Sequence, residues 1–231
     1  MTDALLARRL VSRGLALTAA GLLGLAGVFV LALKFTPVER TQGLPQKIFY
    51  IHVPAAWSAL FAFSLVGIAG ALYLWLRDVR LDRFAEACAE AGLVFSVVML
   101  TTGPLWGKPV WGTWWTWDAR LTFTLFLFFL FLSYRALRSA VYDPGERARF
   151  SAVLGILGLL LVPFVHMTVY LFPTVQPQPI VLKPSAPSLP WEMLRTLLTS
   201  LAVFTVLLLG FVTTRYGLST VAEVKGEADG R

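Results

Sequence analysis

Six runs of apolar residues, separated by short polar segments, account for most of this chain. The first, residues 14–33, carries no charge between Arg13 and Lys34. The second covers about 51–76, and the third about 87–103, where the Gly103-Pro104 pair predicts a helix end. The fourth covers about 118–134 and contains an almost unbroken phenylalanine-leucine block from Phe123 to Phe131. The fifth is 150–172 and the sixth about 194–214. A helix rising about 1.5 Å per residue needs roughly 20 apolar residues to cross the hydrocarbon layer. Each run meets or approaches that length, so the pattern predicts an all-α polytopic membrane protein with six transmembrane helices. Residues 1–231 then form one integral membrane domain with no room for a soluble one. The first run is too long for a signal-peptide core and lacks a small-residue cleavage site, so it is expected to be retained.

Composition agrees. With 57% hydrophobic residues, 14% charged residues and a mean hydropathy of +0.72, the chain is excluded from the ordinary soluble and disordered classes. The net charge of +7 would suggest nucleic acid in a soluble protein. In a membrane protein it reports orientation, and no nucleic-acid partner is expected. Thirteen of the 20 Lys and Arg residues fall at the termini and in the second and fourth connections. The other seven are Lys34, Arg40, Lys47, Lys108, Arg120, Lys183 and Arg195. Basic residues favour the cytoplasm, so both termini are expected inside, with the first, third and fifth connections outside.

The inward connections are short and charged and read as plain helix links. The outward ones are chemically different. Residues 173–190 hold six prolines, a composition for a stiff extended segment. It reads equally as a lid or docking strap and as a solvated connector. Between the third and fourth runs, at about 104–120, lie Trp106, Trp111, Trp114, Trp115 and Trp117. Together with Trp57 and Trp191, they put seven of eight tryptophans on the outer side. An interfacial aromatic belt accounts for Trp75 and Trp191, but not for this one-sided excess. Gly107, Pro109 and Gly112 are expected to hold the segment out of helical geometry, so that its rings form a flat apolar platform for a planar ligand. Asp118 is placed to cap the fourth helix. Arg120 sits where a guanidinium either snorkels to headgroups or holds a carboxylate.

The chain has two histidines. His52 precedes Pro54 at the outer mouth of the second helix, and His166 follows Pro163 near the outer end of the fifth. Either alone reads as well as a hydrogen-bonded helix residue. As a pair at the tryptophan-rich end, they suit axial ligation of haem iron by neutral imidazole. Zinc would need more ligands than this side offers. The lone Cys88 reads as a reduced packing residue at the inner end, and without a Cys-x-x-Cys-His run the chain does not attach haem covalently. The spans also read as lacking the buried acids and bases that ion-coupled transport uses.

The run from Trp106 to Thr122, Trp-Gly-Lys-Pro-Val-Trp-Gly-Thr-Trp-Trp-Thr-Trp-Asp-Ala-Arg-Leu-Thr, resembles the tryptophan-rich WWD signature of the haem-handling proteins of cytochrome c maturation. Ile51-His-Val-Pro-Ala-Ala56, six spans and this chain length resemble the smallest branch, the haem exporter protein C (CcmC) family. That resemblance implies His52 and His166 as axial ligands of non-covalently and transiently held haem b. It also implies Trp111, Trp114, Trp115, Trp117 and Asp118 as the platform, with Trp106 and Arg120 in the same signature. The implied setting is the bacterial inner membrane. There, haem is passed to a periplasmic haem chaperone of the CcmE type, in a complex with ABC transporter subunits of the CcmA and CcmB type. No bond-making residue is required of such a chain, so catalysis is not expected of it. Two other readings stand beside it: a b-type electron-transfer membrane subunit using the same histidines, and a haem-free permease or scaffold subunit anchored by its tryptophans.

Overall fold

A computed structural model describes residues 2–173 and 188–229, with side chains for 4–173 and 188–226. Its helices are α1 (Thr2–Val30), α2 (Phe49–Leu76), α3 (Val79–Trp111), α4 (Ala119–Ala140), α5 (Pro144–Leu171) and α6 (Trp191–Asp229). A π-helical turn, Leu31–Phe35, extends α1, and a 3₁₀ turn, Leu44–Ile48, leads into α2. All six are long and apolar enough to cross a membrane, so the expected all-α, six-span architecture is present. Aspartates start three of them. The side chains of Asp78, Asp118 and Asp143 accept the exposed backbone N–H groups of Arg80, Leu121 and Glu146 at the first turns of α3, α4 and α5.

The predicted boundary between the third helix and the tryptophan segment is wrong. α3 passes through Gly103, Pro104 and Pro109 and stops only at Gly112, whose φ of 78° caps it in the left-handed region. Proline interruptions are tolerated in a membrane helix that its neighbours support, and Trp106 and Gly107, between the two prolines, are buried in packing. What remains outside the helices is the short link 112–118.

α2 lies against α3 and α5, α4 packs mainly on α5, and α1 packs chiefly on α6. The α1–α6 contact is close because small residues line it. A Cβ at Gly14 would meet Thr214 Oγ1 at 2.3 Å, and one at Gly210 would meet Thr18 Oγ1 at 2.6 Å. These antiparallel pairings, with Gly217 against Val11, put the first turns of α1 beside the last turns of α6. Both described ends of the chain are therefore at one end of the bundle.

That same end contains an ionic network. Asp82, Glu86 and Glu90 recur every four residues on one face of α3. Arg138 of α4 donates to Asp82 at 2.6 and 3.0 Å and to Glu86 at 3.1 Å. Arg135 bridges Glu86 at 2.8 Å and Glu90 at 3.0 Å. Arg215 of α6 pairs with Glu90, and Arg83 of α3 pairs with Glu223. Three acids lie on this face of α3, half-buried at the end that carries the chain termini, and each is matched by an arginine from a neighbouring helix, so they are compensated. The inner end is more than a set of plain links. Cys88 is buried and free, as expected of a packing residue.

Candidate functional site

The opposite end of the bundle carries every residue singled out as candidate chemistry, apart from one. That one, Lys183, lies outside the described residues, as do most of residues 173–190. His52 occupies the first turns of α2. Pro54 deprives that helix of one N–H, which frees the carbonyl of Tyr50 four residues earlier. Ser200 Oγ on α6 donates to that carbonyl at 2.5 Å. The backbone beside His52 is thereby tied to a second helix.

The imidazole of His52 rests on one face of α3. Its Nδ1 is 3.0 Å from Thr102 Oγ1, and a Cβ at Gly103 would lie 3.2 Å from its Cε1. Trp106 meets the ring edge-on, with centroids 5.8 Å apart. Trp106 itself is 8% exposed, and its Nε1 donates to Gln42 Oε1 at 3.0 Å. It is a buried wall behind His52, contacted also by Phe49 and Trp111. The first outer connection thus folds onto the site. Within it Lys47, counted among the outer basic residues, is buried and donates to the carbonyls of Thr36 at 2.5 Å and Pro37 at 2.9 Å. Thr36 Oγ1 meets Thr196 Oγ1 on α6 at 2.7 Å.

α4 begins where the tryptophan link ends. The carboxylate of Asp118 caps it through Leu121 N at 3.1 Å and accepts from Thr116 Oγ1 at 2.9 Å. Two residues on, Arg120 is half-buried. Its guanidinium lies within electrostatic reach of both His52 and His166, and of Asp118 and Tyr170. His166 is half-buried on α5, between the buried Val165 and Thr168. The rings of Phe123 and Phe164, 4.8 Å apart and edge-to-face, lock α4 to α5 beside it. The two histidines therefore come from different helices, α2 and α5, and both feel the charge of one cation on a third.

The tryptophans do not form one flat surface. Trp115 and Trp117 are inclined at 74°, and Trp106 and Trp111 at 41°. Trp114 and Trp117 are exposed at 57% and 76%, whereas Trp111 and Trp115 are half-buried. A seven-residue link that must turn between two helices points successive rings in different directions. Among the described residues, the buried Trp115 Nε1 has no hydrogen-bond partner, which leaves a donor available in this link. Lys108 Nζ bonds Gly112 O at 3.0 Å, and Arg195 is exposed. Thr102, Gln42 and Ser200 escaped the sequence reading. None lies in a recognisable motif, and only the adjacency of Thr102 to Gly103 marked the place.

Comparison with known proteins places these features in a family. The family model described as "Heme exporter protein C" matches residues 4–227. A protein of that name from Bradyrhizobium diazoefficiens is 38% identical over 203 residues, covering 85% of this chain and 77% of its own. Another, from Haemophilus influenzae, is 34% identical over 202 residues, covering 87% and 81%. A "Putative cytochrome c biosynthesis ccmC-like mitochondrial protein" of Marchantia polymorpha is 36% identical over 139 residues, covering 60% and 58%.

Proposed function

The chain belongs to the heme exporter protein C family, and from that premise we propose that it is a membrane chaperone which presents haem, its cargo, at the bundle end opposite both termini. Membership of the family supports a role in haem export and cytochrome c biogenesis. The observation that carries the more specific reading is that the only two histidines of the chain, on α2 and α5, both lie within electrostatic reach of Arg120 on α4. Two neutral imidazoles are an iron-binding pair, and a guanidinium within electrostatic reach of both suits the carboxylates that haem carries on its edge.

In this reading His52 and His166 supply the axial nitrogens. Trp111, Trp114, Trp115 and Trp117 give the macrocycle apolar contact from several directions, and Trp106 supports His52 from behind. Asp118 acts through the α4 cap, holding the turn that carries Arg120. Trp115 Nε1 has the chemistry to donate to a haem carboxylate. Cargo held by two nitrogens and apolar contacts, with no covalent bond, is releasable, which suits hand-over to another protein. The bias of Lys and Arg toward the other end turns the site outward, to the periplasmic face of a bacterial inner membrane. The receiver would be a periplasmic haem chaperone of the CcmE type, and the working complex would include ABC transporter subunits of the CcmA and CcmB type.

The test is an absorption spectrum of the purified protein with and without each histidine. Wild-type protein should carry a Soret band of six-coordinate haem b. H52A and H166A should each lose one ligand and fail to support cytochrome c maturation. Absence of a Soret band from the wild type, together with normal maturation in both variants, would overturn the reading.

A further inference from the structure

His52 Nδ1 and Thr102 Oγ1 are 3.0 Å apart, and the other bonds of the hydroxyl decide which of them donates. Thr102 lies inside α3. Its Oγ1 is 2.7 Å from the Val98 carbonyl and 3.3 Å from that of Met99. Both carbonyl oxygens only accept, and a hydroxyl has a single proton. That proton is committed to the helix backbone, as is usual for threonine in a membrane helix. Only lone pairs of Oγ1 remain to face His52, so Nδ1 is the donor, and the Met99 carbonyl beside Oγ1 is a further acceptor for the ring. In a neutral imidazole one nitrogen carries the proton and the other is free to accept. The free lone pair is therefore on Nε2.

We propose that Thr102 is a positioning residue that holds His52 as its Nδ1–H tautomer, leaving Nε2 as the nitrogen that ligates iron. The inference rests on the reading of His52 as a haem ligand. Its physical content is specific, because a neutral histidine side chain in water prefers the proton on Nε2, the opposite arrangement. Metal-binding histidines nearly always donate their second N–H to an acceptor that fixes the tautomer and ring orientation. Gly103 contributes by omission: a Cβ there would press on Cε1 at 3.2 Å and lift the ring from its acceptor. Trp106, one turn further along the same face, closes the seat from the side.

The tautomer is readable without haem. In haem-free protein with ¹⁵N-labelled histidine and an H166A background, His52 gives the only ring signals. Wild-type Thr102 should show a protonated Nδ1 and a bare Nε2. T102V, which keeps the shape and removes the hydroxyl, should shift the proton toward Nε2, and T102S should restore the wild-type pattern. In the His166-containing proteins, haem affinity should fall about 10-fold or more in T102V, the range for loss of such an outer partner, and recover in T102S. A bare Nδ1 in the wild type, or an unchanged tautomer in T102V, would overturn the role of Thr102 alone. Failure of the wild type to bind haem at all would instead overturn the ligand reading on which it stands.

Discussion

Replacing Arg138 by Met should loosen the bundle at the end remote from the candidate site. The Arg138 side chain is 4% exposed, and those of its partners Asp82 and Glu86 are 14% and 19% exposed. Removing one partner of a buried ion pair typically costs about 3–5 kcal/mol, because the other charge is left uncompensated. Glu86 retains Arg135 at 2.8 Å and Arg215 at 3.7 Å, so the stranded charge is mainly that of Asp82. The lower limit, about 3 kcal/mol, is therefore expected. In a chain of this length that corresponds to a fall in Tm of roughly 6–12 °C. Melting in detergent micelles measures it. Adding D82N should recover about 2 kcal/mol, since the neutral amide no longer needs a cation in a buried setting. The effect should also reach the site. Arg120 is on the same helix, about 27 Å away at the usual rise, and α4 has few other contacts with α3. A fall in Tm below 2 °C, or a double variant no more stable than R138M, would refute the compensation argument.

Three further outcomes are expected. S200A leaves the Tyr50 carbonyl freed by Pro54 without its partner, which should cost about 1–3 kcal/mol in a melt and weaken haem binding at His52; an unchanged protein would refute the link. G158A places a Cβ 2.5 Å from Phe131 Cε2, beneath the ring that stacks on Phe63 at 3.8 Å, so overpacking of about 1–3 kcal/mol should appear in the same assay, and an unaltered Tm would show that Phe131 yields. The hydrogen bonds from Arg80 hold Asp78 down at about 2, below the ordinary carboxylate value. Because its folded-state value is lowered, its contribution is complete above about pH 4 and is lost as pH falls toward 2; a carboxyl titration with a midpoint near 4 would contradict this.

Much of the site was open to reading residue by residue. His52 and His166 are the only histidines, and each lies beside a proline near one end of its span, so their placement toward the same end of the bundle was legible from the helix pattern. Asp118 announced a helix start by its chemistry, and it caps α4 as expected. The tryptophan segment was harder. Its prolines and glycines read as a loop from residue 104, yet Trp106 is helical and buried, because packing against Phe49 and the bond to Gln42 outweigh the lost backbone bonds. Five rings suggested a plane, but the turn between α3 and α4 inclines them.

What the sequence determined by itself was the number, type and approximate extent of the helices. A bilayer requires every backbone group to be satisfied within the helix and every exposed side chain to be apolar, and that constraint is written locally in each run. The tertiary structure decided which groups meet. The pairing of Asp82 with Arg138, 56 residues away, has no local signature, and neither does that of His52 with Thr102, 50 residues away. Each depends on a helix crossing, set by small residues and ring contacts spread over the chain. Only that packing puts His52 and His166 within electrostatic reach of the same arginine.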